Sequence, residues 1–432
     1  MPEINVPTYT EFLAAKATRA EQVGPTIQHS DLHPTLYPFQ RDIVTWAAGV
    51  GRAAVWADTG LGKTFMQVEW MRRITDSGLI VAPLAICRQT IREAAKLGVQ
   101  LTYRRDGVID GHTITNYEML HRFDPADAGA MVLDESSILK NSNGKMRSHL
   151  IDWARTVPFR LACSATPAPN DPEELTNQAA FLGHMTRVNM LAAYFVHDQD
   201  GWRIKGHARR PMFRWMSTWA TAIRKPSDLG YPDDGYDLPG LRIIPEVVDA
   251  ELAAPDDALF FDAPRGVTGR SAARRQTLTA RVERAAELVA AEPSEPWILW
   301  CGLNDEATEL ARATGGVNVH GSMSPEEKAE ALMAFADDEI QVLITKPSIA
   351  SQGLNYQHCA RMAFVGLSDS YEQYYQAIRR CHRYGQTRVV NAHIVLSQAE
   401  QTIAANVSRK ESEAASITDE LIHEMTRGRA AA

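Results

Sequence analysis

The chain has 432 residues, 45% of them hydrophobic and 23% charged, with a net charge of −8. That length calls for two or more domains. The composition is that of an ordinary globular protein, and no run approaches the ~18 apolar residues of a membrane span. The five cysteines are widely separated and form no C-x-x-C pair, so neither a zinc site nor a disulfide framework is indicated. Residues 1–5 lack a basic stretch followed by an apolar one. A reducing, cytoplasmic location without membrane contact is the expectation. Net acidity does not announce a nucleic-acid binder, but it leaves room for one, because a local basic groove is enough for phosphate contacts.

In chain order, a helix is expected from Tyr9 to Ala20, within an N-terminal extension of residues 1–33. Short apolar runs then alternate with helical patterns. Strands are expected at Ala53–Trp56, Gly78–Val81, Thr113–Ile114, Ala130–Leu133 and Phe159–Ala162, and this βαβ rhythm predicts a parallel sheet over residues 34–183. The rhythm breaks over 184–275, which reads as an insertion and linker rich in aromatics, Gly, Pro and Asp. It resumes over 276–398 with a helix at Leu278–Ala291 and strands at Trp297–Trp300, Gly316–Val319, Gln341–Ile344, Arg361–Val365 and Val389–Val395. A helix and tail occupy 399–432. The fold class is therefore α/β, with two tandem parallel-sheet domains.

The most specific local signal is Asp58-Thr59-Gly60-Leu61-Gly62-Lys63-Thr64, between an apolar strand and a helical pattern. Strand, Gly-rich turn and helix is the context of a nucleotide phosphate site. Gly60 and Gly62 let the backbone approach phosphate oxygens, and the helix start offers free N–H groups. Lys63 suits the β/γ-phosphates and the Thr64 hydroxyl suits Mg²⁺. Ala57 stands where the full pattern has its first glycine.

Asp134 and Glu135 follow an apolar strand, at the ligand edge of an open α/β sheet. Asp134 suits a Mg²⁺ contact, and Glu135 suits activation of the attacking water. Ser164 and Thr166 end another strand and can relay phosphate state through hydrogen bonds, or simply close a turn before Pro167. Gln40 precedes the phosphate loop by a helix, and its amide matches adenine N6 and N7. Arg380 and Arg383 are three apart on an expected helix and share a face, as suits guanidinium groups supplied to a γ-phosphate.

The ordered set of Gln40, DTGLGKT (58–64), LIVAPLAI (79–86), ITNYE (114–118), DESSILKN (134–141), SATPAPN (164–170), ASQGLN (350–355) and QAIRRCHRYGQ (376–386) resembles the Swi/Snf-related branch of superfamily 2 helicases. Within it, 134–141 is similar to the branch pattern D-E-x-H-x-[IL]-K-N, with Ser137 where His is usual. His382 to Gln386 is similar to its h-R-x-G-Q ending. The resemblance covers about residues 34–425. It implies two RecA-like domains with ATP and Mg²⁺ in the cleft between them, lined also by Gly353 and Gln376. It further implies phosphate-backbone contacts to DNA at Pro83 to Ile86, Asn116, Ser322, Thr345 and Lys346. The absence of chromatin-reading modules points to a compact bacterial or bacteriophage type, expected to be a monomer that acts on DNA with a replication or recombination partner.

Residues 201–225 carry seven Arg/Lys and no acid, with Trp202, Trp215 and Trp219 interleaved. Arg209 and Arg210 are candidate DNA contacts there, while Trp215 and Trp219, four apart, suit helix packing. The expected activity is a DNA-stimulated ATPase that translocates on DNA. A strand-separating fork helicase, an RNA-directed ATPase and an ATP-gated recruitment factor are the alternatives.

Overall fold

The computed structural model describes residues 19–140, 144–199, 201–249, 276–350, 355–368, 370–398 and 401–430. Most of the helix expected at Tyr9–Ala20 lies outside them, as does Gly353. The chain divides into two compact units, Met1–Asp233 with Glu413–Ala432, and Asp234–Ser412.

In the first unit, α1 (Pro38–Val50) leads into β1 (Arg52–Ala57), α2 (Lys63–Ile74), β2 (Gly78–Ala82), α3 (Leu84–Lys96), β3 (Leu101–Tyr103), β4 (His112–Asn116) and β5 (Ala130–Asp134). Then follow α4 (Lys145–Ala154), β6 (Phe159–Ser164), α5 (Leu175–Leu182), α6 (Arg187–Tyr194), a hairpin of β7 (Phe195–Asp198) and β8 (Gly201–Ile204), α7 (Arg209–Met216) and β9 (Ala220–Ile223). The sheet order is β3-β4-β2-β5-β6-β1-β9, and every pairing is parallel. Strands β2 and β5 are buried at every position, as expected of a sheet covered on both faces. The stretch 184–233, read from sequence as an insertion, supplies β9 to this sheet, where Ala54 pairs with Ala220. Trp219 is fully buried edge-on to Trp56 and Trp215, so Trp215 and Trp219 are packing residues.

In the second unit, β10 (Leu241–Val248), α8 (Leu278–Ala291), β11 (Trp297–Cys301), α9 (Asn304–Thr314), β12 (Val317–Val319), α10 (Pro325–Ala336) and β13 (Val342–Thr345) come first. They are followed by α11 (Pro347–Ala350), β14 (Arg361–Val365), α12 (Tyr371–Cys381) and β15 (Val390–Ser397), and the C-terminal helix α13 (Gln401–Ala430) begins in this unit and belongs to the first from Glu413 onward. The strand order is β10-β15-β14-β11-β13-β12, again parallel throughout. Strand β10 was not expected. It contains Pro245 and alternates exposed with half-buried residues, which an edge strand tolerates and a central strand does not.

A buried ion pair in the second unit joins α8 to α9. Arg281 and Glu306 are both 0% exposed and 2.7 Å apart. The other Glu306 oxygen accepts the N–H groups of Gly302 and Leu303, each at 2.8 Å. After β14 the chain turns at Gly366 (φ +98°), where a Cβ would stand 2.8 Å from Glu306 Oε1. Glu306→Ala would leave the guanidinium buried without its carboxylate, at an expected cost of ~3–5 kcal/mol. Urea unfolding followed by tryptophan fluorescence should show that loss, and Arg281→Met with Glu306→Leu should recover most of it.

Candidate functional site

The phosphate loop leaves β1 and enters α2 at Lys63. Gly60 and Gly62 have φ of 89° and 79°, a region that costs non-glycine residues strain. A Cβ on Gly62 would lie 2.3 Å from Gln40 Nε2, so that position needs glycine for space as well. Gln40 is buried. Its Nε2 donates to the Leu61 carbonyl at 2.9 Å, and its Oε1 accepts the Tyr37 N–H at 2.9 Å. Here the amide buttresses the loop, so contact with a base would require exchanging these bonds. Lys63 Nζ donates to the carbonyl oxygens of Ala57 (2.7 Å) and Asp58 (3.3 Å). Thr59 N–H donates to Asp58 Oδ1 at 2.6 Å. Thr64 stands half-buried in the first turn of α2.

Two strands away, β5 delivers Asp134 and Glu135. Register sets Asp134 beside Cys163, and Cys163 beside Val55. The Tyr117 hydroxyl donates to the Asp134 carbonyl. Glu135 has φ +60°, a conformation that stores strain in a residue with a Cβ. Burial, then the neighbouring Glu135 charge, push the Asp134 carboxyl up to about 6. Glu135 Oε2 and Thr166 Oγ1 are buried without a hydrogen-bond partner, and Thr166 N–H donates to Ser164 Oγ at 3.0 Å.

Residues that sequence reasoning passed over hold these turns together. Asn177 Nδ2 donates to the Leu139 carbonyl at 2.8 Å, and Gln178 Nε2 to the Ser136 carbonyl at 3.0 Å. Both side chains are fully buried on α5. The available signal was a pair of amides within an otherwise apolar helix. Glu174, which accepts both N–H and Nδ2–H of Asn170, is pushed up to about 7 by burial.

Pro83 caps α3 after β2, and Asn116 ends β4, where its Oδ1 accepts the Tyr103 hydroxyl at 2.8 Å. In the second unit, Ser322 is exposed and 2.8 Å from His320 Nδ1. Lys346 follows β13 and is half-buried. Thr345 is fully buried and its hydroxyl donates to the Val319 carbonyl at 2.9 Å, so that side chain ties β13 to β12. Gln376 and Arg380 lie on α12 with Arg380 Nη2 3.5 Å from Gln376 Oε1. Arg383, expected on the same helix, lies beyond its end at Cys381. Gln386 Nε2 stops the helix by donating to the carbonyls of Cys359 (3.0 Å) and Cys381 (3.2 Å). Arg383 donates to Asn355 Oδ1. Burial, then nearby Arg380, lower its guanidinium to about 10.

The basic stretch is engaged by the C-terminal helix. Arg209 Nε meets Glu420 at 2.6 Å, Arg210 meets Glu424 at 3.2 Å, Arg214 meets Glu424 at 3.5 Å, and Arg224 meets Asp419 at 2.5 Å. Arg209 and Arg210 are therefore neutralised within the first unit rather than presented as free cations. Ile417 and Leu421 of the same helix are buried.

Two parallel sheets, with a phosphate loop and an acid pair at the ends of strands β1 and β5 on one edge, define a RecA-like helicase fold. Residues 281–385 match the family described as Helicase conserved C-terminal domain. The SWI/SNF-related matrix-associated actin-dependent regulator of chromatin subfamily A-like protein 1 of Xenopus tropicalis is 23% identical over 413 residues, covering 85% of this chain and 43% of that protein. The chain thus spans under half the length of that relative. Among solved structures, S. cerevisiae dbp5, as a variant bound to a gle1 variant and ip6, gives a TM-score of 0.53 at 12% identity, over 87% of this chain and 86% of that one. The Sulfolobus solfataricus SWI2/SNF2 ATPase core in complex with dsDNA gives 0.44 at 16% identity, over 91% and 96%. The chain thus carries a helicase C-terminal domain over residues 281–385 and is similar to a SWI/SNF-related protein over most of its length.

Leu421→Asp places an unpaired carboxylate where the side chain is 0% exposed. It should release residues 413–430 from the first unit, read as rapid protease cleavage within them while the rest of the chain stays resistant.

Proposed function

We propose that the chain hydrolyses ATP and uses it to translocate along DNA. The observation that carries this reading is the pairing of the Lys63 loop with the Asp134–Glu135 turn on one sheet edge of a SWI/SNF-type chain. The loop N–H groups and Lys63 bind the phosphates. Glu135 orients the attacking water and accepts its proton, while Asp134 stays ionised to hold positive charge. Gln40 couples the base side of the site to the Leu61 carbonyl. The family resemblance assigns charge stabilisation on the transferring phosphoryl group to Arg380 and Arg383, with Gln376 beside Arg380.

Two adjacent carboxyls, one raised to about 6 and the other with a buried unsatisfied oxygen, suit a hard divalent cation. Thr64 and Asp134 would hold Mg²⁺, which supplies neutralisation of phosphate charge. Pro83, Asn116, Ser322 and Lys346 are proposed to meet the nucleic-acid backbone, so binding would be largely independent of sequence and sensitive to salt.

Steady-state ATPase should be measured without nucleic acid and with single-stranded DNA, duplex DNA, forked DNA or RNA. Stimulation by DNA is expected, and stimulation by RNA alone would overturn the DNA assignment. Lys63→Ala should abolish turnover. Glu135→Gln should retain nucleotide binding while turnover falls by ~10²–10⁴-fold. Full activity in either variant would sink the site assignment.

A further inference from the structure

The first unit carries a second group of arginines, away from the stretch that the C-terminal helix covers. Arg88 and Arg92 are exposed on α3, Arg105 is exposed after β3, and Arg122 is exposed at the end of the 3-10 turn that follows β4. None of the four forms an ion pair among the described residues. Their neighbour Arg104 differs, because Asp106 accepts two hydrogen bonds from it at 3.1 and 2.9 Å.

Topology gathers three of these cations on one edge. Strands β3, β4 and β2 are adjacent and parallel. Arg105, Arg122 and the start of α3, with Arg88, therefore all follow carboxyl ends of neighbouring strands, spaced ~4.8 Å apart. Residues 102–106 and Arg122 line an open cleft of about 540 Å³. Arg122 Nη1 donates to the Arg105 carbonyl at 3.0 Å, which holds those two residues side by side. The Tyr103 hydroxyl bonds Asn116 Oδ1, joining the cleft to a residue already proposed to meet the backbone.

We propose that Arg88, Arg105 and Arg122 form a binding surface for the phosphodiester backbone of nucleic acid, extending the edge that begins at Pro83 and Asn116. Guanidinium forks match phosphate oxygens. Cations spread over three strand ends suit a line of charges better than a single phosphate, which would draw them to one point. The contrast with Arg209 and Arg210 supports this choice. There the positive charge is already answered by Glu420 and Glu424; here Asp106 bonds Arg104 and Glu118 bonds Asn116, and Arg88, Arg105 and Arg122 form no ion pair among the described residues.

This inference rests on the nucleic-acid reading above, and the test separates the two. Binding of the full-length chain to a fluorescein-labelled duplex is measured across a salt series for wild type, Arg105→Gln with Arg122→Gln, and Arg88→Gln. Each lost phosphate contact should reduce the slope of log K against log salt by ~0.9, and the double variant should bind ~50-fold more weakly at 0.1 M salt. ATPase without DNA and the melting temperature should not change. Arg104→Gln, which removes an already paired arginine, should leave the slope unaltered. A double variant with wild-type slope and affinity overturns this surface while leaving the translocase reading intact. A wild-type chain that binds no nucleic acid overturns both.

Discussion

The parallel hydrogen bonding of β1, β6 and β5 is the constraint on which the first unit's chemistry depends. In a parallel ladder all strands point the same way, so the turns that follow them emerge on one edge. The phosphate loop, the Ser164–Thr166 turn and the acid pair are therefore neighbours whatever their spacing in sequence. The same rule sets Pro83, Asn116 and Arg105 in a row at the other end of that edge.

Side-chain amides then fix what the ladder only brings close. Gln40 holds Leu61, Asn177 holds Leu139 and Gln178 holds Ser136, each through a main-chain carbonyl. Buried carbonyls without partners are costly, so these bonds both satisfy the turns and determine their shape. The carboxyls are treated differently. Asp134 and Glu135 share a buried corner in which like charges oppose each other, and the strained backbone at Glu135 persists because Tyr117 and the β5 ladder hold it on either side.

Much of the fold was legible because buried parallel strands are unbroken apolar runs. β1, β2, β5, β6, β11 and β14 stand out for that reason. β9 did not, because four residues among tryptophans and arginines carry no periodicity of their own. β10 escaped because its edge position tolerates Pro245 and polar residues. The phosphate loop and acid pair could be read from local spacing. Arg383 was put on a helix that Gln386 ends two residues earlier. The pairing of Arg209 with Glu420 could not be read, since the partners lie 211 positions apart, and only tertiary packing joins them.

The docking of residues 413–430 on the first unit also bears on the order of synthesis. The arginines that pair with this segment are made well before it, because all of the second unit is translated in between. At ~5–20 residues per second, that interval is roughly 10–40 s. For that time Arg209, Arg210, Arg214 and Arg224 of the nascent first unit lack the acids that pair with them in the finished chain, and its folding ends only when a much later piece of the same chain arrives.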